Sequence, residues 1–254
     1  MKQQLRNMTI EELETMISEM DQERFRAKQI FSWVHNKLVS EVDEMTNLPL
    51  DFRSKLKEDC QISTMKIAQK QISKKDGTVK YLFELPDGNS IESVWMQYKH
   101  GNSVCISSQV GCRIGCSFCA STVGGLVRNL TSGEMLSQIY EISKETGQRV
   151  SNVIVMGIGE PFDNFDSFVK FVKLLSDEKG LNISQRNITV STCGLIDEIY
   201  KLGDEQMQIT LAVSLHAPND EIRRKIMPVA NKYRIEEILE ACKYFFAKTG
   251  RRIT

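Results

Sequence analysis

Residues 104–120 read VCISSQVGCRIGCSFCA. The stretch opens like a strand, turns at Gly111, and then carries Cys112, Cys116 and Cys119 in the spacing C-x3-C-x2-C. A structural zinc takes four ligands, and no fourth cysteine lies nearby in the chain. Two questions follow: which fold places a strand there, and what completes the ligand set.

Downstream of this loop, strand-like runs alternate with helix-like ones. A helix is predicted near 131–146, a strand at 152–156 ending in GIGEP, and a helix at about 163–175. A strand follows at 187–192, then a helix near 195–202, a strand at 208–216 and a helix at about 234–248. RRIT, at 251–254, reads as the start of a fifth strand. This alternation predicts an α/β fold with parallel strands and helices outside, as a partial barrel or an open sheet. In such barrels the chemistry sits at the C-terminal strand ends. Those ends carry the cysteines, Gly159 and Glu160, Ser191, and Ser214-Leu215-His216. A chain that stops within its fifth strand leaves an open edge, so we expect a piece of a longer protein.

Upstream, residues 63–108 alternate with period two in four runs separated by Gly-bearing turns, a β-meander. Before them, Thr9 to Glu12 forms a capping box ahead of Leu13, Met16 and Ile17. Residues 25–38 repeat a helical period, and Pro49 starts a third helix. The expected organisation is a helical module at 1–60, the meander at 61–103 and the partial barrel from 104 to 254.

Composition narrows the classes. Of 254 residues 41% are hydrophobic and 26% charged, the profile of a globular protein rather than a disordered or fibrous one. The net charge is zero, so the whole-chain charge gives no sign of nucleic-acid binding. Residues 221–254 are net basic and 1–60 net acidic, a difference that suits phosphate at one end or a solvated helix face equally well. No apolar run approaches the roughly 18 residues of a membrane span. The N-terminus lacks a signal-peptide core. These features predict a cytoplasmic protein with no membrane partner. In a reducing compartment seven cysteines point to metal or catalysis over disulfides.

Three readings of the cysteine loop stand. The cysteines are buried packing residues; or they bind zinc with His216 as fourth ligand; or three thiolates hold an iron–sulfur cluster and leave one iron open. The spacing, just after the first strand of a β–α repeat, favours the last. Its open iron then has the logic of a catalytic metal with a vacant position.

With Phe118 before the last cysteine, the loop resembles the signature of the radical S-adenosylmethionine (radical SAM) enzymes. The resemblance extends over the whole chain. FRAKQIFSWV, VCISSQVGCRIGCSFCAS, RNLTSGEM, MGIGEPFDN, QRNITVSTCG and SLHAPNDEIR are similar to the RlmN-type adenine C2 methyltransferases. It implies a six-stranded radical SAM barrel, with Cys112, Cys116 and Cys119 on a [4Fe-4S] cluster. It implies S-adenosylmethionine contacts from Gly159, Glu160, Ser191, Ser214, Leu215 and His216. It also implies a proton acceptor at Glu92, 23S rRNA and tRNA as substrates, a flavodoxin-like electron donor, and a monomer. A disulfide bond comes with the family as well, against the compartment argument.

On the residues alone, Glu92 shares a strand face with Val94 and Met96, where a carboxylate is costly unless paired or functional. Cys105 corresponds to a non-cluster cysteine near the family's active site, and a buried apolar thiol is its simpler reading. Cys60, Cys193 and Cys242 read as packing residues. The helical module is expected to dock RNA, with Arg24, Arg26, Lys28 and Lys37 on phosphates.

One departure matters. The family's methyl-accepting cysteine near the C-terminus has no match here, so this chain alone is expected to hold a cluster weakly and to make no methylated adenine. Rival readings are a Cfr-like adenine C8 methyltransferase, which has GEA where residues 159–161 read GEP, a zinc-stabilised RNA-binding module, and a radical enzyme acting on other substrates.

Overall fold

In the computed structural model, which describes residues 2–254, the chain starts with a short strand β1 (Gln3–Gln4) and helices α1 (Ile10–Glu19), α2 (Phe25–His35) and α3 (Leu50–Asp59). Thr9 closes the expected capping box with Glu12. Leu13, Met16 and Ile17 of α1 and Ile30, Phe31 and Val34 of α2 are buried at helical spacing. β2 (Cys60–Gln61) pairs in parallel with β1.

The meander and the β–α repeat form one seven-stranded sheet. Its strands are β3 (Lys66–Ile72), β4 (Val79–Glu84), β5 (Ser90–Tyr98) and β6 (Gly101–Ile106), and then β9 (Val150–Val155), β10 (Ile188–Thr192) and β11 (Thr210–Val213). β6 is the pivot. It pairs antiparallel with β5 and parallel with β9. A small hairpin of β7 (Gln109–Gly111) and β8 (Leu126–Asn129) frames the cysteine loop. Helix α4 (Ser132–Thr146) follows, then β9 (Val150–Val155), α5 (Phe165–Ser176), β10 (Ile188–Thr192), α6 (Ile196–Asp204) and β11 (Thr210–Val213). The short helix α7 (Asp220–Ile226) and the long α8 (Ile235–Thr249) complete the order. The strand order is β11-β10-β9-β6-β5-β4-β3. The expected fifth parallel strand is a single bridge, Leu211 to Ile253, backed by Val213 N–H donating to Thr254 O and Thr254 N–H donating to Leu211 O.

The two faces of this sheet differ. Ile91, Trp95, Val104, Ile106, Val153, Ile188 and Val190 are buried and belong to the main core together with residues of α4 and α5. The register places Glu92, Val94, Cys105, Ile154, Thr189 and Ser191 on the opposite face, and all six are half-buried. That opposite face is where strand-end chemistry can meet a substrate.

The N-terminal helices share the same core. His35 Nδ1 lies 2.7 Å from the Tyr140 hydroxyl on α4, and Asn7 accepts from Gly133 N–H at the start of α4. The disulfide that the family resemblance implies does not form in this chain. All seven cysteines are free, so none is oxidised into a pair. No described helix is long and apolar enough to cross a membrane.

Candidate active site

The four parallel strands point their C-terminal ends at one cavity of about 300 Å³. Cys112, Cys116 and Cys119 line one part of it; Gly159, Glu160, Ser191, Ser214 and His216 line the rest. These eight expected residues lie as far as 104 positions apart in the sequence, and parallel strand direction brings them together. Leu215 does not line the cavity. Its side chain faces an apolar groove with Ile238, Phe246 and Ile253, while its carbonyl accepts from Arg223 Nε. Glu92 also lies outside. It shares the sheet face of Ser191, three strand spacings away, or about 14 Å. There Lys80 Nζ pairs with it at 2.7 Å. Pairing is what a carboxylate on a half-buried face calls for.

The cysteine loop is held by backbone geometry. Gly111 has φ +74°, and a Cβ there would stand 2.0 Å from the Gly125 carbonyl oxygen, so only glycine fits. That carbonyl accepts from Cys112 N–H and closes the loop at its base. Arg113, inside the loop, pairs with Asp163 after GEP. Gln109, fully buried, accepts from Glu160 N–H at 2.8 Å and donates to Asn129 and Asp163. Gly159 packs its backbone on that same glutamine, where a Cβ would fall 2.5 Å from the Gln109 Cβ.

The electrostatics are unusual for a loop site. Glu160 is buried, and among the described residues no cationic side chain forms an ion pair with it. Its oxygens accept from Cys193 N–H at 2.7 Å and Phe162 N–H at 3.1 Å. Burial holds its carboxyl above the usual range, and those N–H donors work against that shift. Burial likewise pushes the Cys112 and Cys116 thiols up; binding metal strips such protons. Ser191 and Ser214 share a hydroxyl hydrogen bond of 2.9 Å. His216 adopts a left-handed φ of 56°, and its ring meets Phe118 edge-on at 4.9 Å.

The donor set fits an iron–sulfur cluster. Three thiols face one cavity, yet among the described residues no three His, Cys, Asp or Glu side chains converge on a single-ion site. A single zinc at Zn–S about 2.3 Å needs its sulfurs within about 3.8 Å of one another. A cluster places each thiolate on a different iron and tolerates wider spacing.

Two family profiles match. Residues 3–62 match the ribosomal RNA large subunit methyltransferase N-terminal domain, and residues 106–254 match the radical SAM superfamily. The chain belongs to the RlmN family of radical SAM enzymes. Among RlmN relatives, each called a probable dual-specificity RNA methyltransferase, one from Lachnoclostridium phytofermentans is 55% identical over 98% of this chain and 70% of its own length. One from Lachnospira eligens is 57% identical over 98% and 71%. One from Clostridium novyi is 54% identical over 98% and 72%. A crystal structure of a radical SAM methyltransferase from Sphaerobacter thermophilus superposes with a TM-score of 0.92 at 40% identity, covering 99% of this chain and 74% of the other. An RlmN chain with a radical SAM fold implies the [4Fe-4S] cluster and S-adenosylmethionine as its cofactors.

Cys193 packs as expected, in an apolar cluster with Cys116 and Met227, and it lines the cavity as well, which the sequence reading does not anticipate. Its place directly after β10, at the same strand-end level as Ser191, is the signal that finds it.

Proposed function

We propose that the chain belongs to a radical SAM RNA methyltransferase that transfers a methyl group to C2 of adenine in 23S rRNA and tRNA through a methyl-cysteine intermediate, whose cysteine has no match in these 254 residues. The observation that carries this is the strand-end cavity, where three thiols meet a buried carboxylate that has no ion-pair partner among the described residues. The dual-specificity RNA methyltransferase names of relatives more than half identical to this chain supply the substrate class. Once bound, the cluster and S-adenosylmethionine supply one-electron bond cleavage and the methyl group.

The chain's own residues bind, orient and exclude water. Cys112, Cys116 and Cys119 hold the cluster. Glu160 accepts from the ammonium of S-adenosylmethionine, a charge-assisted bond in a water-poor site. Gly159 lets the backbone approach the ligand. Ser191 and Ser214 offer paired hydroxyls, His216 sits beside them, and Leu215 contributes through its backbone. Glu92 takes a proton from the adenine on the shared sheet face. The helical module at 1–60 docks RNA, with exposed Arg24, Lys28 and Lys37 and half-buried Arg26 on phosphates. The target base must leave its stack to enter, which unpaired loops favour. Electrons come from an external flavodoxin-like donor in the cytoplasm.

Deleting the gene from its host tests the substrate. Nucleoside mass spectrometry is expected to lose 2-methyladenosine from both 23S rRNA and tRNA. Its persistence, or loss of 8-methyladenosine in its place, overturns the proposal.

A further inference from the structure

Two arginines are buried completely, and their charges are met differently. Arg6 has a carboxylate: Nη1 reaches Glu141 at 3.1 Å, beside the Ser137 hydroxyl and the Val39 carbonyl. Arg223 on α7 has none. Its Nε donates to Leu215 O at 3.2 Å, Nη1 to Tyr233 O at 3.4 Å and Nη2 to Cys193 O at 2.5 Å. Asp220, one turn earlier, makes no ion pair with it and accepts from Ile235 N–H. Carbonyls satisfy the N–H donors but do not cancel the charge, and burial works against that charge.

The position explains the charge. The carbonyl that Nη2 holds belongs to Cys193, which packs on Cys116 at the cavity wall. The Cys193 thiol, then the Asp220 carboxylate and then Cys116 lie within electrostatic reach of the guanidinium. Three thiolates make a bound cluster anionic, and accepting an electron makes it more so. Cluster potentials follow net charge, hydrogen bonding and solvent exposure. We propose that Arg223 is the fixed counter-charge of the iron–sulfur cluster, holding its one-electron-reduced form within reach of the external donor. The inference rests on the cluster reading above. Arg223 touches neither substrate nor thiolate, so it is a positioning residue and not a catalytic one.

The test is a redox titration of the cluster, read by electron paramagnetic resonance, in protein reconstituted anaerobically with iron and sulfide and free of S-adenosylmethionine. Arg223→Gln is expected to shift the reduction equilibrium at least tenfold toward the oxidised cluster, a midpoint about 59 mV lower for one electron. Arg223→Lys keeps the charge and loses the fork, so its midpoint stays within about threefold of wild type. Arg223→Gln with full iron and a wild-type midpoint overturns the inference. So does Arg223→Lys falling as far as Arg223→Gln, which makes the carbonyl bonds the cause. A third overturning result is an unchanged midpoint with weakened S-adenosylmethionine binding, which makes Arg223 the remote partner of Glu160. Should Arg223→Gln not fold, Arg223→Met serves as the uncharged variant: a midpoint lowered at least tenfold in the reduction equilibrium supports the charge, and a wild-type midpoint overturns the inference. Wild-type protein that takes up no iron and sulfide overturns the cluster reading itself, and this inference with it.

Discussion

Replacing Gly111 by alanine perturbs the cluster loop at its base. The native φ of +74° costs an alanine about 1–2 kcal/mol. The new Cβ would stand 2.0 Å from Gly125 O, a backbone atom that cannot swing aside. Relieving such overpacking costs about 1–3 kcal/mol. Separating the two strands of the hairpin also breaks the 3.0 Å bond from Cys112 N–H to Gly125 O, worth about 1 kcal/mol. Together these come to about 4 kcal/mol, close to three decades in the opening equilibrium of the loop. The damage is local, because β7 and β8 form their own two-stranded sheet apart from the main one. Hydrogen exchange checks it directly. The Cys112 amide is expected to lose protection by nearly a thousandfold while peptides from β4 and β5 keep theirs. Iron retained after reconstitution and gel filtration is expected to fall below about half of wild type, since an open loop cannot hold three thiols together. A Gly111→Ala protein with native protection at Cys112 and native iron content would refute the steric account of this loop.

Burial pulls the His35 pKa down to about 3, with the Arg6 charge adding to the effect. The unfolded chain titrates near 6.5, so folding favours the neutral ring. Its contribution is fully present above about pH 6.5 and is lost as pH falls, at about 1.4 kcal/mol per unit down toward pH 3. Urea midpoints between about pH 7 and 5 measure this slope; His35→Gln removes it, and equal slopes in both proteins contradict the assignment. Glu160→Gln keeps one of two backbone bonds and removes the buried charge, so S-adenosylmethionine affinity falls roughly 10- to 100-fold by calorimetry. The unloaded fold is barely affected, because the lost bond is offset by relief of an unpaired buried carboxylate. Unchanged affinity would remove Glu160 from the ligand site.

Much of the site was legible because its signals are local. The cysteine spacing, GEP and the strand-end serines sit in short motifs, and β–α alternation alone predicts that they converge. Helix starts were legible where a cap marks them, as at Thr9. Helix α7 is not among the helices the sequence pattern predicts, although Asn219 caps it and Asp220, Glu221, Arg223, Arg224 and Lys225 follow the helix dipole. What stayed hidden depends on distant pairing. Nothing within β6 says that it binds β5 on one side and β9 on the other, joining meander and repeat into one sheet. Leu215 sits two residues past the end of β11, and only the fold shows that its neighbour is the apolar groove. Arg223 lies in DEIRRK, which reads as a solvated charge run, and its burial follows from the carbonyls of Leu215, Tyr233 and Cys193 closing around it.

The central claim is a cluster held by three thiolates with one iron open to the S-adenosylmethionine ligand. Mössbauer spectroscopy of the anaerobically reconstituted protein, with and without S-adenosylmethionine, measures it most directly. The account predicts about four irons and four sulfides per chain, with one iron site changing its signal when S-adenosylmethionine is added. One bound zinc and no sulfide, or four iron sites indifferent to S-adenosylmethionine, would contradict it.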